Sequence, residues 1–278
     1  MPEQYGLNDR RSNATAMSDA VPVVVNAGWL ERNEDRVRVV DVRDSWEYEG
    51  IGHVPGAVSI PFDAFRGSGE EDEGMLPGAD RFGRLLGEAG IAPSDAIVAY
   101  DDEHGVFAAR FVVTAMMYGH DDVHLLDGDY SAWSRDHETT TEIPDVDPVE
   151  YRATVPDDRP VIDAEGVRAA VADPDAVLVD TRTQEEYDGG HIEGAVHLDW
   201  RKLVDPDTRG LRDREELFDL LSDRGIVPDR RVVLYCNTAR RISHTYLALL
   251  HLGFPDVDFY EGSLTDWEAR GLELVSAG

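Results

Sequence analysis

A single cysteine, Cys236, occurs among the 278 residues of this chain. That excludes an internal disulfide and any site assembled from clustered cysteines. Lysine is equally scarce, with Lys202 the only one. No apolar run approaches the roughly 20 residues that span a bilayer, and the first 20 residues lack the apolar core of a secretory signal. Positive charge is short overall: 26 Lys and Arg stand against 57 Asp and Glu, a formal net charge of −31. Nucleic acid is excluded as a partner on this ground, because neutralising phosphates requires a basic face. What remains is a globular protein without a membrane span, expected in the reducing cytoplasm. Its acidic residues are spread along the chain, as in a protein kept soluble by its charge in high salt, where screening is short-ranged. We therefore expect a halophilic source. Residues 1–20 read as a disordered leader, with Met17 as an alternative start.

The sequence resembles itself at an offset of about 135–139 residues. The segment 37–58, VRVVDVRDSWEYEGIGHVPGAV, aligns with 177–196, VLVDTRTQEEYDGGHIEGAV. Both contain Asp-x-Arg, a Glu-Tyr pair and His-x-x-Gly-Ala-Val. Residues 96–133 align likewise with 231–267, and both close on Gly-x-x-x-x-Trp. A repeat of this length is a duplicated domain. The boundaries expected are 21–138 for the first domain, 139–160 for a Thr-, Pro- and Asp-rich linker, and 161–278 for the second domain. Within the second copy, β-branched runs (177–180, 196–198, 232–235, 257–260) alternate with helical patterns (213–225, 242–253). This alternation predicts an α/β fold, each domain a mostly parallel central sheet flanked by helices. Ligands of such sheets bind at the carboxyl ends of the strands, where Cys236 stands.

A thiolate forms at neutral pH only where positive potential lowers the thiol pKa. Backbone N–H groups of the loop Asn237, Thr238 and Ala239, the start of the following helix near Ile242, and Arg240 and Arg241 are the available sources. The same groups attract an anion, and the planar fork of arginine suits a small oxyanion. Arg182, from the second Asp-x-Arg, is a candidate to complete the pocket. One cysteine with His244 eight residues on has no usual metal-ligand spacing. His53 and His191 recur at equivalent places, as do Asp41 with Asp180 and Glu47 with Glu186, so a fold-forming role is expected for them. In the first copy Asp101 aligns with Cys236, and no paired arginines follow. Thiol chemistry is thus restricted to the second domain, with the first covering the site.

These motifs together resemble the tandem rhodanese family, the thiosulfate and mercaptopyruvate sulfurtransferases, over roughly residues 21–273. The resemblance rests on both Asp-x-Arg…His-x-x-Gly-Ala segments, both Gly-x-x-x-x-Trp endings and the six-residue loop Cys236 to Arg241. It implies two tandem rhodanese-like domains, the second catalytic. It also implies that the Cys236 thiolate takes the sulfane sulfur of thiosulfate, releases sulfite, and passes the sulfur from a persulfide to cyanide, a thiol or a sulfur-accepting protein. No metal or organic cofactor is implied. Arg182, Arg240 and Arg241 would contact the donor, and Asn237, Thr238 and Ala239 would cradle the persulfide. Alternatives are a 3-mercaptopyruvate sulfurtransferase and a non-enzymatic persulfide carrier or regulatory module. A phosphatase, needing Cys, five residues and then Arg, is disfavoured because Ile242 occupies the arginine position.

Overall fold

The structure is a computed structural model and describes residues 21–67 and 75–276; the expected leader lies outside them. The first half runs β1 (Val24–Val25), α1 (Ala27–Asn33), β2 (Val37–Asp41), α2 (Ser45–Gly50), β3 (Val58–Ser59), α3 (Ala79–Glu88), β4 (Ala96–Tyr100), α4 (Val106–Met117), β5 (Val123–Leu126) and α5 (Tyr130–Trp133). The second half repeats it: β6 (Val161–Ile162), α6 (Ala164–Val171), β7 (Ala176–Asp180), α7 (Gln184–Gly189), β8 (Val196–His197), α8 (Arg214–Ser222), β9 (Arg231–Tyr235), α9 (Arg240–Leu252), β10 (Val257–Tyr260) and α10 (Ser263–Ala269). The sheets have orders β1-β5-β4-β2-β3 and β6-β10-β9-β7-β8, with every paired strand parallel. Parallel strands buried on both faces account for the continuous β-branched runs.

The repeated motifs serve the fold. In each domain a fully buried aspartate ends the strand, and the arginine two residues later folds back onto it. Arg43 donates to Asp41 at 2.6 Å and to the Gly52 carbonyl at 2.6 Å; Arg182 donates to Asp180 and to the Gly190 carbonyl at the same distances. The repeated histidines tie turns together. His53 and His191 each bond a tyrosine carbonyl, Tyr48 and Tyr187, through Nδ1 at 2.9 Å and stack on that tyrosine ring at 3.8 Å.

The domains meet through α4 and α9. Helix α4 is buried on nearly every face, because it lies between its own sheet and α9. Ala108, Phe111, Val112 and Ala115 share one apolar cluster with Ile242, Tyr246 and Leu249, so a single core crosses the boundary. Polar contacts fasten the seam: Arg110 grips Glu261 at 3.0 and 2.6 Å, and Arg209 grips Asp129 at 2.7 and 2.8 Å.

Residues 141–160 contain no helix or strand. They lie along α3, with Val149 N–H donating to the Gly87 carbonyl at 2.9 Å. This close passage requires glycine: a Cβ on Gly87 would lie 2.5 Å from the Val149 carbonyl oxygen, and one on Gly83 would lie 2.9 Å from that of Tyr151. Gly87→Ala therefore sets two effects against each other. Alanine favours a helix by about 1 kcal/mol, whereas forcing backbone apart costs about 1–3 kcal/mol. The clash wins, because the 2.5 Å approach is to backbone, and we expect a net loss of up to about 2 kcal/mol in denaturant melts; a stabilised variant would show that the strap yields freely.

Candidate active site

Cys236 follows β9 directly and is 1 % exposed. Helix α9 begins at Arg240, two residues earlier than the sequence pattern indicated. The reason is Ala239, whose left-handed backbone (φ 62°) caps the helix and turns the chain sharply. The loop proper is thus the four residues 236–239, and both arginines sit in the first helical turn. No acidic residue accompanies them there. Cations at a helix N-terminus oppose the macrodipole, each at a cost of a few tenths to about 1 kcal/mol, so this placement is unfavourable for folding alone.

The first turn of α10 supports the loop. The Cys236 N–H donates to Ser263 Oγ at 3.1 Å, and that hydroxyl donates to the Tyr260 carbonyl at 3.0 Å. Ser263 Oγ stands 4.0 Å from Cys236 Sγ. Ser263 itself has a left-handed backbone, φ 48°. Thr265 Oγ1 donates to the Asn237 carbonyl at 2.9 Å, and Leu264 N–H to that of Cys236 at 3.1 Å.

The first domain shows what such a loop binds. Asp101, at the place of Cys236, is fully buried, and its carboxylate accepts the backbone N–H groups of Glu103, Gly105, Phe107 and Ala108 at 2.7–2.9 Å. Burial lifts this carboxyl to about 6, against the pull of the four donors. The loop is therefore an anion cradle filled by a side chain of its own. In the second domain the N–H groups of Thr238, Ala239, Arg241 and Ile242 have no acceptor among the described residues, and the side chain at the cradle's origin is a thiol.

The arginines divide sharply. Arg182 donates through Nε and Nη2 to Asp180 and to the Gly190 carbonyl, and is 5 % exposed. Arg241 donates to Glu186 Oε2 at 2.6 Å, and Glu186 Oε1 receives the Asn237 amide at 2.8 Å. Burial raises the Glu186 carboxyl, but Arg241 together with the Thr183 N–H and hydroxyl outweighs it and holds the group at about 2. Arg240 alone makes no ion pair among the described residues. Its guanidinium lies over the ring of Phe107 from α4 of the first domain, 4.7 Å from the centroid. Burial lowers its pKa, with the nearby Arg241 adding to the effect.

Residues 26–136 and 163–270 each match the Rhodanese-like domain. The chain belongs to the rhodanese family. A thiosulfate sulfurtransferase of Pseudomonas aeruginosa is 32 % identical over 238 residues, covering 82 % of this chain and 87 % of that protein. The sulfur carrier protein TtuD of Thermus thermophilus is 30 % identical over 275 residues, covering 88 % and 93 %. The crystal structure of Escherichia coli SseA, a study of 3-mercaptopyruvate sulfotransferases, superposes with a TM-score of 0.78 at 24 % identity, over 87 % of this chain and 99 % of that one. The expected pair of rhodanese domains is thus present, each with its five-stranded parallel sheet, and the curated relatives include proteins named thiosulfate sulfurtransferase.

In this rhodanese the three arginines expected at the site stand in different surroundings. Arg182 is engaged as Arg43 is in the domain without a thiol. Arg241 is paired with Glu186, whereas Arg240 makes no ion pair among the described residues. Asn237 faces Glu186 through its side chain and helps anchor the loop. Sequence reasoning overlooked Ser263, Thr265 and Phe107. Ser263 directly follows the glycine of the repeated Gly-x-x-x-x-Trp motif and replaces Asp129 of the first copy, a difference visible by alignment; nothing local marked the other two. Among the described residues no helix is long and apolar enough to cross a membrane.

Proposed function

We propose that this protein moves the sulfane sulfur of thiosulfate to cyanide or a thiol acceptor through a persulfide on Cys236. The supporting observation is the pair of equivalent loops: one closes four N–H groups on the Asp101 carboxylate, and the other offers open N–H groups around a thiol. The Cys236 thiolate attacks the sulfane sulfur, the S–S bond of thiosulfate breaks, and its electron pair leaves with sulfite. The anionic outer sulfur of the persulfide then takes the place that the Asp101 oxygens occupy in the other domain. Arg240 holds the sulfite oxygens during attack. A cytoplasmic, reducing setting suits a chain whose one cysteine has to remain a thiolate.

Initial rates with thiosulfate and with 3-mercaptopyruvate, cyanide as acceptor, in molar potassium chloride test this reading. A preference for thiosulfate that depends on Cys236 supports it. The pairing of Arg241 with Glu186 leaves Arg240 as the arginine of the loop without an ion pair among the described residues, which also suits a single carboxylate; a preference for 3-mercaptopyruvate would replace the donor and keep the nucleophile. A stable persulfide with negligible turnover would make the protein a sulfur carrier. The arginines give a sharper check. Arg240→Ala is expected to raise the donor KM by about 10–100-fold, the loss of a charge-assisted contact of roughly 1.5–3 kcal/mol. Arg241→Ala should raise it only a few-fold, because Glu186 already spends that charge. The reverse order in steady-state kinetics would move the anion site to Arg241.

A further inference from the structure

Two adjoining depressions in the second domain, of about 570 and 580 Å³, share Asp199, Arg201 and Lys202 along their common edge. The first extends to Arg224 and to the start of α7; the second extends to Arg209 and Arg212 and reaches His104 of the first domain. On a chain of net charge −31, such a collection of cations is a local reversal of sign. Part of it is internally balanced, since Arg201 pairs with Asp199 at 2.6 Å and Arg209 with Asp129 at 2.7 Å. Part is not. Lys202, the only lysine, is exposed, and its ammonium has no partner among the described residues. Arg224 donates to the carbonyls of His197 and Leu220 at 3.2 and 2.7 Å, which satisfies its N–H groups without neutralising its charge. The closest carboxylate to Arg212, that of Glu216, is 3.8 Å away.

The groove is linked to the active loop through the residues that anchor that loop. Its wall residue Glu185 precedes Glu186, which holds both Asn237 and Arg241. Trp200, immediately before Arg201, packs edge-on against His244 of α9 at 5.1 Å.

We propose that this groove binds the carboxylates of the sulfur acceptor, a small thiol bearing two or more of them. The assignment rests on the sulfur-transfer reading above and deepens it. The donor is a compact oxyanion held by Arg240 beside Phe107, so it has no use for cations at a distance from that contact. An acceptor needs its thiol at Cys236 and its remaining bulk elsewhere, and depressions of this volume suit a small ligand. Cations in a concave surface of an acidic protein focus the field on anions and draw them in. In the step served, the acceptor thiolate forms a bond to the outer sulfur of the persulfide. The bond from Cys236 Sγ to that sulfur breaks, its electron pair returns to Cys236 as thiolate, and the acceptor departs as a persulfide.

The test compares mercaptosuccinate, 2-mercaptoethanol and cyanide as acceptors at saturating thiosulfate, for wild type, Lys202→Gln and Lys202→Glu. Lys202 is exposed and unpaired, so neither substitution disturbs the fold. The KM for mercaptosuccinate should rise a few-fold in Lys202→Gln and about tenfold or more in Lys202→Glu, while those for 2-mercaptoethanol and cyanide stay within about twofold. The mercaptosuccinate KM should also climb more steeply with potassium chloride, because its contacts are screened. An equal shift for all three acceptors, or none for mercaptosuccinate, would overturn the proposal. Calorimetric binding of mercaptosuccinate to Cys236→Ser, with and without Lys202→Glu, needs no turnover. If wild type does not turn over with any acceptor but this binding is present and weakened by the charge reversal, the sulfur-transfer reading fails and the anion groove stands; if no binding occurs, the groove fails.

Discussion

Cys236→Ser is expected to reduce sulfur transfer by on the order of 10⁴-fold or more, the scale on which removing a covalent nucleophile acts. A hydroxyl at this position is not ionised at neutral pH and forms no bond to sulfane sulfur that a second thiol can reopen. The substitution is nearly isosteric and the site is 1 % exposed, so the structural cost is confined to placing a hydroxyl where a thiol was, about 1–3 kcal/mol at most. Ser263 Oγ, 4.0 Å from Sγ, is close enough to reorganise around it. The measurement is turnover with thiosulfate and cyanide, accompanied by intact-protein mass after exposure to thiosulfate alone. Wild type should gain the mass of one sulfur atom and the variant none. A variant that retains turnover would remove Cys236 from the chemistry.

Arg110→Ala should give the largest loss of stability, and activity should fall with it. The Arg110 side chain is 1 % exposed in the middle of α4 and grips Glu261, which also accepts the Leu76 N–H at 2.8 Å. Removing the guanidinium leaves the Glu261 carboxylate nearly buried with the Leu76 N–H as its remaining donor and opens a cavity in the core shared by the domains. Breaking one partner of a buried ion pair costs about 3–5 kcal/mol, which for a protein of this size lowers the melting midpoint by on the order of 10 °C. Glu261 lies two residues before Ser263, so the turn buttressing Cys236 is expected to loosen as well. The check is a thermal melt together with kcat at a temperature where the variant remains folded. A midpoint within about 2 °C of wild type would show that the apolar contacts of α4 and α9 hold the seam unaided.

The α/β class and the duplication were legible because both are carried by local pattern. Strand β10 falls on 257–260 as its alternation implies, and β7 and β9 each begin one residue before the predicted runs. These are deviations of the size expected at fraying ends. The start of α9 was less legible. It depends on the left-handed backbone of Ala239, a conformation that alanine does not announce and that the packed turn around Ser263 and Thr265 imposes.

Cys236, the Asp101 replacement and the paired domains could be recognised from residue type and spacing, because a nucleophile after a strand and a repeat at fixed offset are properties of the chain order. The roles of the arginines could not. Arg182, Arg240 and Arg241 are chemically identical in the sequence, and Arg240 and Arg241 are each separated by a long stretch of chain from a group that defines their surroundings. Folding brings Glu186 within 2.6 Å of Arg241 across 55 residues and sets Phe107 under Arg240 from the other domain, while Asp180 claims Arg182 at the end of its own strand. The charge available to a substrate is what remains after these pairings, and a guanidinium's partner is determined by distance in space rather than by order along the chain.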